Sequence, residues 1–208
     1  MIRKLCALLL LLPAITFGQE LDLGLLENLN IRNVGPANMS GRITAIAVAA
    51  SNPKIIVVGA ASGGVWKSTN GGSAWTPIFD DQPTQNIGAI AIQRDNPEVI
   101  WVGTGEGNPR NSVNLGMGLF KSEDGGKSWT HLGLEATKSI HRILIDPSNP
   151  NTVYIGAHGD PFTPNTERGL YKTTDGGKHF ERILFTNETS GVADMLMHPQ
   201  NPQRIYVA

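Results

Sequence analysis

Apolar positions along this chain fall in short runs rich in Ile and Val, each closed by glycine, Asn-Pro or Gly-Gly, and none repeats at the helical period over a useful length. The runs recur in a fixed order. Ile43 to Val48, Ile87 to Ile92, Ile140 to Ile145 and Val192 to Met197 each lead through an Asn-Pro turn, at Asn52, Asn96, Asn149 and Asn201, into a second run. Three of those second runs end in glycine (Gly59, Gly103, Gly156), and the fourth copy runs from Arg204 to Ala208. A third run follows at Gly64-Val65-Trp66-Lys67, Gly118-Leu119-Phe120-Lys121 and Gly169-Leu170-Tyr171-Lys172, then a Gly-Gly turn, then a fourth strand opening at Trp75, Trp129 or Phe180. Ser122 lies 54 residues after Ser68, and Thr173 lies 51 after Ser122. Four antiparallel strands recurring at that spacing predict an all-β protein, a β-propeller with four-stranded antiparallel blades.

The blades are expected at about 43–80, 86–135, 139–187 and 191–208, the last one incomplete. Closed propellers take roughly four to eight blades, so this count predicts an open N-terminal fragment of about three and a half. Residues 19–42 form a lead-in, and Leu29 to Val34 reads as a ring-closing strand. Residues 1–18 read as a signal peptide: Arg3 and Lys4 precede an apolar run from Leu5 to Ile15, which is followed by Thr16-Phe17-Gly18. Export to the periplasm, cell surface or exterior is therefore expected. Cys6, the single cysteine, leaves with that segment, so neither a disulfide nor a thiol nucleophile is expected in the mature chain. A formal charge of -1 offers nucleic acid no electrostatic footprint.

The three turns carry Ser68, Asn70, Gly72 and Trp75; Ser122, Asp124, Gly126 and Trp129; and Thr173, Asp175, Gly177 and Phe180. A short oxygen-bearing side chain there accepts bonds from the backbone N–H groups of its own turn, while glycine supplies φ > 0. Calcium would need more oxygen ligands than each turn offers, and Asn70 lacks the charge, so no metal and no cofactor is expected. This Ser/Thr-x-Asp-x-Gly-x-x-Trp pattern resembles the Asp-box, or bacterial neuraminidase repeat, of sialidases, two-propeller xyloglucan endoglucanases and sortilin-type receptor propellers. Over the mature chain the resemblance is to secreted bacterial proteins with sortilin-like propellers, carried by Gly35-Pro36-Ala37-Asn38-Met39-Ser40-Gly41-Arg42, by Gly63 to Ser68 and by Gly103-Thr104-Gly105-Glu106. Three aromatic columns, Trp101/Tyr154/Tyr206, Trp66/Phe120/Tyr171 and Trp75/Trp129/Phe180, are expected to fill the core between blades.

In such a blade the loops joining strands two and three lie at the end opposite the Gly-Gly turns. That loop is short in the first repeat (Ala60 to Gly63) and long in the second (Thr104 to Met117) and third (Ala157 to Arg168), and long inserts on a regular scaffold are where ligands are expected. Ligand-binding candidates are therefore Glu106 and Arg110 in the second repeat and Asp160 and Arg168 in the third. To these are added Arg42, His141, Arg142 and Asp194 at the mouth of the innermost strands. Arg142 and Asp194 share a column and are equally readable as a pair across blades.

Three functions remain in view. The first is binding of a peptide, protein or glycan, as the sortilin resemblance implies. The second is glycoside hydrolysis, which needs two flanking carboxylates. The endoglucanase resemblance would place the first in a Thr-Asp-x-Gly-Gly-x-Tyr-Arg stretch, where this chain has Ala61, leaving Glu106 and Asp160 as the candidate pair. The third is a scaffold within an envelope or secreted assembly.

Overall fold

Tight Asn-Pro and Gly-Gly turns leave the intervening runs no conformation but extended strands paired with their neighbours in sequence. A computed structural model describes residues 42–106, 108 and 113–208. All of these belong to one compact unit, Asn33–Ala208. The signal peptide, the ring-closing strand and Arg110 lie outside the described residues.

Among the described residues there are fourteen strands. β1 (Ile43–Val48), β2 (Ile56–Ala60), β3 (Gly64–Ser68) and β4 (Thr76–Pro77) form one antiparallel meander. β5 (Ile87–Ile92), β6 (Ile100–Thr104), β7 (Leu119–Ser122) and β8 (Thr130–Gly133) form the second. The third is β9 (Ile140–Ile145), β10 (Val153–Ala157), β11 (Gly169–Thr173) and β12 (Glu181–Leu184). β13 (Met195–His198) and β14 (Asn201–Val207) pair alone. The fold is a β-propeller of four-stranded antiparallel blades.

Each sheet is apolar on both faces, as blades packed between neighbours must be. In the second blade Ile87, Ile100, Val102 and Phe120 face the first, meeting Val57, Val65 and Phe79. Trp101 and Leu119 point the other way, onto Ile140, Val153, Ile155 and Tyr171 of the third. Val192 and Met195 continue the stack against Tyr154 and Leu170.

The aromatic columns are only partly core. Trp101, Phe120, Tyr154 and Tyr171 are buried, but Trp75 is 40% and Tyr206 53% exposed. The reason is directional. The aromatic opening strand four reaches back to the preceding blade: the Trp129 ring sits edge-on to Phe79, and its indole N–H donates to the Ile78 carbonyl at 2.6 Å. Among the described residues no sheet precedes the first blade, so Trp75 has nothing to cover it. Phe79, outside every column, is 1% exposed and packs edge-on against both Phe120 and Trp129. In the last sheet Ile205 and Tyr206 are more open than Val153 and Tyr154, whereas Met195, which faces the third blade, is 4% exposed.

The Gly-Gly turns share one geometry. Ser68, Ser122 and Thr173 each accept a backbone N–H from the second glycine, at 2.8, 2.8 and 3.1 Å, and donate their hydroxyls to Asn70, Asp124 and Asp175. Those side chains in turn accept the N–H of Ala74, Ser128 and His179. Both glycines of every turn have φ between 73° and 100°.

Candidate functional site

The innermost strand of each full blade carries a bulge at its second residue. Register slips between Ile43 and Ala45, between Ile87 and Ala89, and opposite Gly156 and Ala157, leaving Thr44, Gly88 and His141 as the extra residues. A bulge re-aims the residue it inserts. Thr44, Gly88 and His141 accordingly line one cavity of about 260 Å³ with Asn108, Arg142, Ala193 and Asp194, at the end away from the Gly-Gly turns. Gly88 is required there, because a Cβ would collide with the carbonyl oxygens of Gly105 and Ile140. Thr44 donates its hydroxyl to the Ile87 carbonyl at 2.6 Å, stitching the first two blades at the rim.

Arg142 and Asp194 pair across blades, Nε to Oδ1, at 2.5 Å, and both side chains remain more than half exposed. Hydrogen bonding from Arg142 holds the Asp194 carboxyl below the usual carboxylate range. Beside them the rings of His141 and His158 stack at 4.7 Å. Burial pushes the His158 imidazole down to about 4, helped by His141 and Arg168, and burial lowers His141 as well. Both rings are therefore neutral at physiological pH.

The described limbs of the long inserts are tied down by hydrogen bonds. Gly116 N–H donates to Lys138 O, His158 N–H to Ser139 O, and the Ser139 hydroxyl to Gly105 O, at 2.7, 2.9 and 3.0 Å. The Asn165 amide reaches Ala136 O at 3.2 Å. All converge on segment 134–139, where Leu134 and Lys138 take φ of 66° and 65°, a backbone cost that non-glycine residues bear only where surroundings enforce it. Sequence inspection gave no sign of this hub, since its importance lies in backbone groups.

Several candidates are engaged by partners within the chain. Glu106 is 1% exposed and forms an ion pair with Arg42, joining the entry of β1 to the second insert. Arg168, 4% exposed, is turned inward and donates to the carbonyls of His158, Asp160 and Thr163, so it organises the third insert instead of facing solvent. The Asp160 carboxylate accepts the Phe162 N–H and the Thr163 hydroxyl, both at 2.9 Å. Loop carboxylates and guanidinia look alike in sequence whether they face water or their own backbone. His141, Arg142 and Asp194 are the candidates that do meet at one open site.

Two more cavities lie along the innermost strands. One of about 370 Å³ is lined by Ile46, Ile90, Leu144 and Leu196 among others. The larger, about 480 Å³, opens at the Gly-Gly-turn end between Val48, Ile92, Asp146, Met197 and His198. The length of the inserts drew attention to the opposite end and missed this one. Among the described residues, no group of three or more His, Cys, Asp or Glu is placed to hold a metal, and no helix is long and apolar enough to cross a membrane.

Fold and turns together define the class, an all-β propeller, and comparison with known proteins gives it relatives. The family described as "Sortilin, neurotensin receptor 3" matches residues 117–208. A probable oligoxyloglucan-reducing end-specific xyloglucanase of Neosartorya fischeri is 38% identical over 71 residues, 32% of this chain and 8% of that protein. The GH74 enzyme of Niastella koreensis superposes with a TM-score of 0.56 at 23% identity, over 76% of this chain and 25% of that one. YCF48 bound to D1 peptide superposes with a TM-score of 0.53 at 14% identity, over 82% of this chain and 48% of its own. The chain thus resembles sortilin-type and xyloglucanase propellers, and it spans a small part of the length of the enzymes it matches.

Proposed function

We propose that this chain is part of an exported, sortilin-like Asp-box β-propeller that binds a peptide, protein or glycan at the end opposite its Asp-box turns. One observation carries the reading: three successive β-bulges aim Thr44, Gly88 and His141 into a polar mouth with Arg142 and Asp194, while the candidate carboxylates are engaged elsewhere. Glu106 is neutralised by Arg42, Asp160 caps its own loop, and Ala61, buried at 4%, stands where the endoglucanase resemblance calls for an acid. YCF48 with its bound peptide and the xyloglucanase relative supply the two ligand classes.

Glycoside hydrolysis is the second reading, favoured by the identity to the xyloglucanase. Reducing-sugar release from a panel of polysaccharides, xyloglucan included, separates the two. The expected result is no release above background. Turnover abolished by Glu106→Gln, in a variant that melts within a few degrees of wild type, would establish the hydrolase instead.

A further inference from the structure

The β10–β11 insert spends a buried arginine on a short stretch of exposed loop. The Arg168 guanidinium lies beneath residues 158–163, donating to His158 O at 2.6 Å, Thr163 O at 3.0 Å and Asp160 O. Gly159, at φ 87°, makes room for it, since a Cβ there would strike the arginine side chain. From above, the Asp160 carboxylate accepts the Phe162 N–H and the Thr163 hydroxyl. Asn165 then donates its N–H to Glu188 O at 2.8 Å and its side-chain amide to Ala136 O, fastening the far limb. What this clamp presents is the Phe162 ring, 64% exposed.

Burying a guanidinium is costly, and leaving a phenylalanine in water gains the fold nothing. A clamp of this kind makes sense when the ring must be ready for something else, because a loop whose backbone is already ordered loses little entropy on binding. The surroundings indicate what that is. Asp160 and Thr163 are engaged with each other and with the Phe162 N–H inside the loop, and Pro161 and Pro164 flank the ring, so its neighbours in sequence give it a mainly apolar setting. At the same end the second insert exposes Leu115 and Met117, at 38% and 42%. Apolar anchors on rigid loops are the makings of a protein-binding hot spot.

We propose that Phe162 is the anchor of a preorganised loop whose ring enters an apolar pocket of a polypeptide partner, with Arg168 as its positioning residue. This rests on the binding reading above and narrows its ligand to polypeptide. Random dodecapeptides displayed on phage are selected on the chain, alongside a panel of soluble oligosaccharides. Recovered peptides are then titrated against wild type, Phe162→Ala, Arg168→Met and, as a control, Phe185→Ala. Phe162→Ala should weaken binding roughly tenfold or more, and Phe185→Ala should leave it unchanged. Arg168→Met, which keeps the ring, should weaken it less while speeding amide exchange across 159–166. Peptides that bind Phe162→Ala as well as wild type would overturn the anchor and leave the binding reading standing. Oligosaccharides held in a Phe162-dependent way would overturn the polypeptide class. Ligands from neither panel would remove the binding reading itself.

Discussion

At the scale of single residues, the three Gly-Gly turns show how one substitution sets the need for another. Asp124 and Asp175 use both carboxylate oxygens, the second accepting from Ser128 Oγ at 2.6 Å and bonding to His179 Nδ1 at 2.7 Å. Where the turn has Asn70, the fourth residue on is Ala74, which offers its backbone N–H but no side-chain donor, and the amide nitrogen of Asn70 needs none. The hydrogen bonds hold the Asp124 and Asp175 carboxyls far below their ordinary range. Asn70→Asp alone should therefore lower the thermal midpoint slightly, and adding Ala74→Ser should restore it or better. A double-mutant cycle with no coupling between the two sites would refute this account. His158 and His141 set a second expectation. Their folded-state pKa values lie below the ordinary 6.5, so folding favours the neutral rings. The stability they contribute is complete above pH 6.5 and is lost as pH falls toward about 4, where His158 titrates. The urea midpoint should drop across that window, and the drop should shrink in His158→Phe. Arg142, Asp194 and Arg168 are the charged groups facing the pair. The lowered carboxylates, Asp146, Asp160 and Asp194 among them, act only at still lower pH.

Between elements, the blades are joined by contacts that repeat with the sequence. The strand-three lysine of one blade donates to the first turn glycine of the next: Lys67 to Gly125 O at 3.0 Å, Lys121 to Gly176 O at 3.4 Å. Lys121 and Lys172 also lie over the rings of Trp101 and Tyr154. The reverse direction is supplied by Trp129, donating to Ile78 O. Each clasp ties a strand to a neighbouring turn, so the blades keep one relative angle while their apolar faces meet. Trp129→Phe keeps most of the packing and orphans one carbonyl, which should cost about 1 kcal/mol. Phe79→Ala opens a cavity at the centre of the first interface and should cost about 3–5 kcal/mol. Chemical denaturation ranks the two, and equal losses would mean that the edge-on Phe79 contacts matter less than the packing suggests.

Over the whole described unit, the open mouth depends on small residues where blades converge. Gly88 sits against the carbonyls of Gly105, from the second insert, and Ile140, from the third blade. Gly88→Ala should destabilise by about 3 kcal/mol or more, because backbone on both sides would have to move. Soluble yield and thermal midpoint measure it, and a wild-type midpoint would show that the inserts yield more readily than their hydrogen bonds imply. What is periodic was legible from the order of residues alone. Strand order, the Gly-Gly turns and the propeller architecture follow from runs and turn residues recurring in register, since each repeat must bury both faces of the same sheet. The order of residues also placed His141, Arg142 and Asp194, because a residue's position in the inner strand sets its height along the blade. What the non-periodic side chains do emerges from the folded arrangement of blades and inserts. Glu106, Arg168 and Asp160 sit in inserts whose course depends on groups outside them, in segment 134–139 and at Glu188, so the nearby sequence does not say whether they turn to solvent or inward. Trp75, expected in the core, lies open and Phe79, outside every column, is buried for the same reason: burial belongs to the interface between blades, and an aromatic is covered only where a neighbouring blade lies against it.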